Sequence, residues 1–327
     1  MKNFALSGVA GYIAPRHLQA IRDTGNRLEA AVDPHDSVGI LDRFFPDASF
    51  FTEFERFDRH VEKLRRGPEE RRIHYMSICT PNHLHDAHIR FALRTGAHAI
   101  CEKPLVLKPW NLDALGEMES ETGGKVSTVL QLRIHPAIQE LKRSIDAAPA
   151  GRRREVCLTY VTGRGPWYHY SWKGDAERSG GLATNIGIHF FDLLLWLFGG
   201  AGYSIVHSAE PDRMSGFLEL QKANVRWFLS TDLNDLPPAE VTKGKTTYRS
   251  ITIDGKELEF TEGFADLHTK VYAEILAGRG FGIEDARASI QLVYDIRNAR
   301  VSGETDHSHP LMGRTYGRLR RYELLQA

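Results

Sequence analysis

The sequence predicts an α/β protein with two domains, a doubly wound parallel sheet followed by a mostly antiparallel sheet. Its 327 residues, 42% of them hydrophobic, exceed the usual length of a single domain. Up to about residue 125, short apolar runs alternate with amphipathic segments, whereas residues 204–261 show almost only strand and turn patterns. We place the division between residues 125 and 126.

In the first domain, the apolar runs predict buried strands separated by amphipathic helices. The strands are predicted at residues 4–7, 28–32, 74–79 and 97–101. The helices are predicted at residues 15–24, 37–45, 56–65 and 83–95. Strands and helices that alternate in this way form a parallel sheet, and ligands bind at the carboxyl ends of its strands.

The pattern changes after about residue 124. Residues 126–131 and 154–163 are predicted strands with a helix over 136–148 between them. Two hairpins are predicted further on, one turning at Lys222-Ala223-Asn224 and one at Asp254-Gly255, a dipeptide typical of two-residue turns. Helices are predicted at 264–277 and 283–300, and the tail from Ser302 has no periodicity that predicts a structure.

Composition limits the possible partners. Forty-two basic and forty-two acidic side chains balance, which argues against nucleic acid and against a membrane surface as partners. The widely spaced Cys79, Cys101 and Cys157 match neither a secreted disulfide framework nor a zinc site, so we expect no metal. The first apolar run is too short for a signal peptide, and residues 189–203 fall short of a membrane span. We expect a cytoplasmic protein.

A glycine-bearing turn over residues 8–15 joins the first strand to the first helix. In the frame G-x-G-x-x-G, Gly8 holds the first position, Ala10 the second and Ile13 the third. Such a turn lets a pyrophosphate reach backbone amides and the positive end of a helix, although glycine also occurs in turns for steric reasons alone. The cofactor candidates in this turn are Gly8, Ala10, Gly11, Tyr12 and Ile13.

Asp33 ends the second predicted strand, 25 residues after Gly8. An acid at this point accepts hydrogen bonds from the ribose hydroxyls of a dinucleotide and repels a 2′-phosphate. The residue therefore favours NAD over NADP. Taken alone, Asp33 is better explained as a helix cap or turn residue before Pro34.

Two polar clusters follow the third and fourth strands, at the edge where open parallel sheets bind nucleotides. Taken singly, Asn82 is explained as a helix cap, His85 as a surface residue and Lys103 as a solvated charge before a proline. Two clusters at one edge favour a binding site. The candidates are Thr80, Pro81, Asn82, His85, Glu102 and Lys103.

In order, the glycine turn, Asp33, the Thr-Pro-Asn-x-x-His cluster and Glu-Lys-Pro resemble the Gfo/Idh/MocA oxidoreductase family over nearly the whole chain. The resemblance implies an NAD-binding Rossmann domain in residues 1–125. It implies an open-faced sheet, with helices on one side, for substrate binding and oligomerisation in residues 126–327. It places Lys103 beside the nicotinamide and the sugar hydroxyl.

The family segment Gly-Gly-x-x-x-Asp-x-x-x-His is present here at residues 180–189. Asn185 stands at the aspartate position, and an amide can orient a hydroxyl but cannot take a proton. The resemblance therefore implies His189 as the better base candidate. The alternative is that His189 is a core histidine on an apolar helix.

Residues 8–17, 131–136 and 167–174 resemble one branch of that family, the WlbA/WbpB dehydrogenases. The resemblance implies oxidation of C3 of UDP-N-acetyl-glucosaminuronic acid to a 3-keto sugar, in the synthesis of diacetamido-uronic acids of lipopolysaccharide O-antigen. It also implies tightly bound NAD contacted by Gln131, re-oxidation by 2-oxoglutarate in some members, and a homotetramer.

Oxidation of a secondary alcohol needs a base within hydrogen-bond reach of the hydroxyl. We assign His189 as this base, because histidine titrates near neutral pH, and Lys103 as the cation that stabilises the alkoxide. The reverse assignment stays open, because burial can lower a lysine pKa.

A UDP-uronate carries a pyrophosphate and a carboxylate, so a chain of balanced charge has to supply cations locally. The candidate cations are Arg133, Arg164, Lys173 and Arg178. Trp167, Tyr168 and Trp172 are candidates to pack on sugar or uracil faces, although an aromatic stripe is also typical of a core or a subunit interface.

Two alternatives remain from the sequence. The first is a dehydrogenase of the same family that acts on another sugar, an inositol or a biliverdin-like compound. The second is a non-catalytic NAD-binding regulator, which the same fold supports. The presence of both Lys103 and His189 argues against the regulator, because a sensor has no need of His189.

Overall fold

The computed structural model describes residues 1–149, 151–258 and 266–313, and the chain divides into two compact units. Unit 1 comprises Met1–Asp146, Ile188–Leu193 and Phe260–Tyr294, and unit 2 comprises Ala147–Gly187, Leu194–Glu259 and the chain from Asp295. Each unit is built from separate segments of the sequence. The single division between residues 125 and 126 stays a prediction.

A six-stranded sheet lies at the centre of unit 1. Its strands are β1 (Asn3–Ser7), β2 (Arg27–Val32), β3 (Ser49–Phe51), β4 (Tyr75–Ile78), β5 (His98–Cys101) and β6 (Val126–Thr128). Their order is β3-β2-β1-β4-β5-β6 and every pairing is parallel. The order reverses between β1 and β4, which is where ligands bind in doubly wound sheets. The predicted parallel sheet is confirmed.

The described residues contain twelve α-helices. They are α1 (Ala14–Asp23), α2 (Ile40–Phe44), α3 (Phe54–Arg65), α4 (His85–Arg94), α5 (Trp110–Thr122), α6 (Pro136–Ala147), α7 (Trp167–Tyr170), α8 (Ala176–Ser179), α9 (Ile188–Phe198), α10 (Pro238–Val241), α11 (Leu267–Leu276) and α12 (Ile283–Asn298).

Helix α1 shows how the sequence positions the site. Pro15 lies in its first turn, and Ala14, Leu18 and Ile21 recur at helical spacing and are fully buried. They belong to one core cluster with Phe4 of β1. Burial of each large apolar side chain contributes about 1.5–3 kcal/mol. The start of α1, directly after the glycine turn, is therefore fixed against the sheet.

Unit 2 contains the second six-stranded sheet. Its strands are β7 (Arg154–Thr162), β8 (Ala201–Ala209), β9 (Arg213–Leu220), β10 (Ala223–Ser230), β11 (Thr247–Ile253) and β12 (Lys256–Glu257). Their order is β12-β11-β7-β10-β9-β8, with β7 and β10 parallel and the other pairings antiparallel. The predicted, mostly antiparallel sheet is confirmed.

The two predicted hairpins differ in outcome. Asp254 (φ +50°) and Gly255 (φ +79°) connect β11 to β12, as their sequence predicts for a two-residue turn. The turn predicted at Lys222-Ala223-Asn224 is wrong by one residue, because β10 already begins at Ala223. The connecting residues are Gln221 and Lys222. Neither residue type is typical of a turn, which explains why the sequence pattern misplaced this one.

Other elements depart from the predicted pattern. The sequence pattern predicts neither β3, which has three residues, nor α5, which buries only Leu112 and Leu115. The strand predicted over 126–131 ends at Thr128, and a 3₁₀ helix follows at Gln131–Ile134. The predicted helix start at residue 264 and the tail after residue 313 lie outside the described residues.

One helical run, Ala176–Phe198, is long and apolar enough to span a membrane by length and composition. Buried core helices pass the same test, and 78% of its apolar window is buried inside the protein. No other such run occurs in the described ranges.

Candidate functional site

The glycine turn after β1 has the backbone geometry of a phosphate cradle. Gly8 has φ +84°, and a Cβ there would lie 2.6 Å from the carbonyl carbon of Cys79, so only glycine permits this approach. The amide of Gly11 donates to the Gly8 carbonyl at 3.1 Å. Ile13 precedes α1 and provides no side-chain cap. The amides of Ala14 and Arg16 already donate to the Gly11 and Ile13 carbonyls, at 3.1 and 3.0 Å, so α1 offers an anion the positive end of its dipole rather than its first amides.

Asp33 links the end of β2 to this turn. Its Oδ2 accepts a hydrogen bond from the Ala10 amide at 3.0 Å, and its Oδ1 accepts one from the His35 amide at 3.0 Å. Each carboxylate oxygen can accept a second bond, which leaves capacity for ribose hydroxyls. Tyr12, in the same turn, is 91% exposed. Asp33 therefore acts as a turn residue and still presents acceptors for a nucleotide.

Two predicted cofactor contacts have buried atoms that lack a partner within the described residues. These atoms are Thr80 Oγ1 and Gln131 Oε1. A buried polar atom without a hydrogen bond costs about 1–3 kcal/mol, so a ligand that satisfies it stabilises the protein. Together with the Gly8 cradle and the Asp33 carboxylate, these atoms fit a dinucleotide.

His85 joins the two polar clusters. Its Nδ1 lies 2.7 Å from the Pro104 carbonyl and its Nε2 lies 2.9 Å from the Thr80 carbonyl. Burial lowers the pKa of His85, and the two backbone carbonyls oppose this shift only in part. Its ring nitrogens thus both contact backbone. Pro81 precedes the short helix Asn82–Leu84, and Asn82 is buried at its start.

The Glu-Lys-Pro segment is held by its own glutamate. Glu102 Oε1 accepts hydrogen bonds from His17 Nε2 at 2.9 Å and His268 Nε2 at 3.2 Å. Glu102 Oε2 accepts the Lys103 amide at 3.2 Å. Burial alone would raise the pKa of Glu102, but the bonds from the two histidines hold it well below its ordinary value. The sequence did not reveal His17 and His268 as site residues, because each shows there only as a polar side chain on a buried helix face.

The segment with Asn185 has an irregular backbone. Gly180 (φ +85°) and Gly181 (φ +75°) turn the chain into a π-helix, Ala183–Gly187, a form that often marks functional sites. Asn185, in this turn, donates from Nδ2 to Tyr168 Oη at 2.8 Å, and both residues are buried in unit 2. Asn185, which stands where an aspartate is common in the family, therefore has the Tyr168 hydroxyl as one of its hydrogen-bond partners.

His189 lies in the first turn of α9, in a segment assigned to unit 1, as is Lys103. It is partly exposed, although the next two residues of the helix, Phe190 and Phe191, are buried. This exposure disfavours the alternative of a core histidine.

Arg133 is occupied by carboxylates of unit 1. Its Nε and Nη2 donate to Asp192 at 2.9 and 2.7 Å, and Nη2 also donates to the Asp285 carbonyl at 2.8 Å. The Arg133 side chain is only 7% exposed. Its donors face away from solvent, so we leave Arg133 out of the anion site proposed below.

Lys173 is held by aromatic rings in unit 2. Its ammonium lies 5.4 Å from the Trp167 ring centre and 5.0 Å from that of Trp172. Burial, and then the charge of Arg164, lower the pKa of Lys173. The backbone amide of Arg164 donates to Thr231 of the loop that follows β10. Arg178 is exposed in α8.

Comparisons with known proteins agree on one family. Residues 2–129 match the model of an oxidoreductase family, Gfo/Idh/MocA, described as an NAD-binding Rossmann fold. Residues 154–232 match the model of the C-terminal α/β domain of that family. Curated relatives include a putative oxidoreductase YteT of Bacillus subtilis, 28% identical over 61% of this chain and 47% of its own length. The chain thus spans about half the length of the curated relatives it matches.

Solved structures match over a longer range. The WlbA (WbpB) dehydrogenase of Thermus thermophilus, in complex with NAD and α-ketoglutarate, is 52% identical, with a TM-score of 0.91. The match covers 95% of this chain and 100% of that chain. A second structure of that enzyme, with NAD and UDP-GlcNAcA, is 51% identical with the same TM-score and coverage.

Proposed function

Because the chain belongs to the Gfo/Idh/MocA oxidoreductase family, we propose that it oxidises C3 of UDP-N-acetyl-glucosaminuronic acid to the 3-keto sugar, with NAD as cofactor. The observation that carries this proposal is the 52% identity across all of the Thermus thermophilus dehydrogenase. One complex of that enzyme contains NAD and UDP-GlcNAcA. This chain has both residues that we propose as catalytic, Lys103 and His189.

The residues of unit 1 fit NAD. Bound NAD would accept the hydride of the carbinol carbon at its nicotinamide. The amides that follow Gly8 would hold the pyrophosphate, and Asp33 would accept the hydroxyls of the adenosine ribose. Thr80 Oγ1 and Gln131 Oε1 would gain the hydrogen bonds that the protein does not supply. The Asp33 carboxylate also repels a 2′-phosphate, which disfavours NADP.

For proton transfer, His189 takes the proton of the C3 hydroxyl and the Lys103 ammonium stabilises the developing alkoxide. The partly exposed position of His189 at the start of α9 suits a base that exchanges its proton with solvent after each turnover. Asn185 orients the Tyr168 hydroxyl by its hydrogen bond and leaves proton transfer to His189.

For the substrate anions, the proposed cations are Lys173 and Arg164. The indole rings of Trp167 and Trp172 orient the Lys173 ammonium without neutralising it, so its charge remains available to a carboxylate or phosphate. Trp167 is 53% exposed and offers a face on which a sugar or a uracil packs.

The proposal also covers the re-oxidation of the cofactor, the assembly of the protein and its pathway. We propose that 2-oxoglutarate re-oxidises the bound NADH, by the same pair of residues acting in reverse, because α-ketoglutarate is present in one complex of the Thermus thermophilus enzyme. We also propose a cytoplasmic homotetramer that serves lipopolysaccharide O-antigen synthesis. The oligomer is checked by light scattering of the purified protein.

The test is the near-ultraviolet absorbance of NADH in the purified protein mixed with UDP-N-acetyl-glucosaminuronic acid. We expect reduced cofactor with this sugar and none with UDP-N-acetyl-glucosamine, the matched control that lacks the carboxylate. Reduction by myo-inositol instead would contradict the substrate and keep the family. NAD binding without reduction by any sugar would support the non-catalytic regulator.

A further inference from the structure

We propose that His17, His268 and Tyr272 form a buried hydrogen-bond network that positions Lys103 by holding Glu102. This inference rests on the proposed function, because it concerns how the catalytic lysine is oriented. His17, His268 and Tyr272 are positioning residues, because the hydrogen bonds that they make lead to Lys103 through Glu102.

The geometry of the network is continuous within unit 1. One oxygen of Glu102 accepts both histidine Nε2 atoms, at 2.9 and 3.2 Å, and the other oxygen accepts the Lys103 amide at 3.2 Å. His17 and Tyr272 are fully buried, and Glu102 and His268 are 6% and 5% exposed. Water therefore does not compete for these bonds, which makes them directional and strong.

The hydrogen bonds run in one direction. Since the Glu102 carboxylate only accepts, His17 Nε2 carries the proton of that bond. Burial lowers the pKa of His17, so its ring is neutral and Nδ1 accepts from Tyr272 Oη at 2.7 Å. Burial also holds the pKa of Tyr272 well above its ordinary value, which keeps the hydroxyl protonated. Ser77 Oγ, 2.6 Å away, then donates to Tyr272 Oη.

The network connects the two halves of the proposed cofactor site. His17 lies on α1, directly after the glycine turn, whereas Glu102 follows β5 and precedes the catalytic lysine. His268 and Tyr272 lie one turn apart on α11 and approach His17 from that helix. The Glu102 carboxylate therefore accepts hydrogen bonds from both parts of the site. One comes from His17 of α1, the helix that would meet the pyrophosphate, and the other from the amide of Lys103, which would meet the sugar.

The central variant is Tyr272→Phe, which removes the donor to His17 Nδ1 and keeps the ring in the core. We expect kcat to fall about 10-fold, with the dissociation constant of NAD changed less than about twofold, because displacement of a catalytic group affects the reaction more than ground-state binding. Tyr75→Phe is the matched control, a ring of the same core cluster that stacks on Phe4. It should leave kcat unchanged.

A rescue series separates positioning from packing. His17→Gln keeps an amide that can donate to Glu102, whereas His17→Leu keeps only volume. We expect His17→Gln to retain at least several-fold more activity than His17→Leu at equal melting temperature. Equal activity in the two variants, or normal kcat in Tyr272→Phe, would overturn the proposal.

A measurement without substrate keeps the network testable by itself. Nitrogen-15 NMR of the wild-type protein should show His17 as the neutral Nε2–H tautomer through the neutral pH range, and Glu102→Gln should perturb its signals. A protonated ring or the Nδ1–H tautomer would overturn the network. So would stoichiometric metal in the purified protein, because His17, Glu102 and His268 also group as a ligand set. If this tautomer is found but no sugar is oxidised, the proposed function fails while the network stands.

Discussion

Arg133 and Lys173 are both candidate cations for the substrate anions in the sequence, but in the structure their charged groups have different partners. Arg133 in unit 1 is buried against the carboxylates of Asp192 and Asp285. Lys173 in unit 2 is held by the faces of two indole rings. A carboxylate cancels the charge that it orients, whereas an aromatic face orients the charge and leaves it to act on a ligand.

The largest expected effect comes from Arg133→Met, which leaves Asp192 buried without its partner. We expect a loss of about 3–5 kcal/mol in the free energy of unfolding, measured by urea denaturation. The control is Arg133→Met with Asp192→Leu, which removes both charges and should recover most of the loss. A stable single variant with weakened sugar binding would mean that Arg133 is a ligand cation.

The pH dependence of that variant sharpens the comparison. Burial already raises the pKa of Asp192 above 3.8, and the Arg133 charge opposes this rise. Without Arg133 the folded pKa rises further, so the folded protein holds a proton that the unfolded chain releases. The stability of Arg133→Met should therefore fall as pH rises from the unfolded value through the folded pKa. Urea titrations at several pH values test this slope, and a stability that does not change with pH contradicts it.

Lys173→Met should change substrate binding and leave stability nearly unchanged. Loss of a charged hydrogen bond to the substrate costs about 1.5–3 kcal/mol, which corresponds to a KM for the UDP-uronate about 10- to 100-fold higher. The exposed Lys256 of β12 provides the control, Lys256→Met, with no expected effect on KM. An unchanged KM in Lys173→Met would remove Lys173 from the proposed anion site.

The smallest effect is expected from Trp172→Leu. Loss of one cation–π contact of about 0.5–1 kcal/mol should raise KM about two- to fivefold. Trp172→Leu removes a ring face that stabilises the charged ammonium and leaves an apolar side chain in its place, so the pKa of Lys173, already lowered by burial, should fall further. In the wild type, affinity for the substrate falls as pH rises through the lowered pKa, and the variant should lose its affinity at a lower pH. A KM profile against pH, compared with that of Trp110→Leu in unit 1, measures the shift.

The two cations also show the limit of sequence reasoning. Local patterns were enough to predict most of the strands, the Asp254-Gly255 turn and the glycine turn that begins at Gly8, because spacing along the chain determines each of them. The partners of Arg133, by contrast, are 59 and 152 residues away, so no local pattern separates it from Lys173.

The same reason explains why the histidine network was missed. His17 and His268 meet at Glu102 from positions 85 and 166 residues distant. The clue available in the sequence was His17 on the apolar face of α1, where a polar side chain needs a buried partner. The identity of that partner depends on how α11 packs on the sheet, which periodicity does not reveal.

Asp33 has a consequence for engineering the cofactor preference of this chain. A variant designed for NADP must replace this acid to admit a 2′-phosphate, yet the same carboxylate supports the amides of Ala10 and His35. A single Asp33→Arg substitution therefore removes the acceptor of these two amides and destabilises the glycine turn. Directed evolution toward NADP should accumulate a second substitution within the loop after β2, one that supplies a new acceptor for the Ala10 amide, before the new specificity becomes efficient.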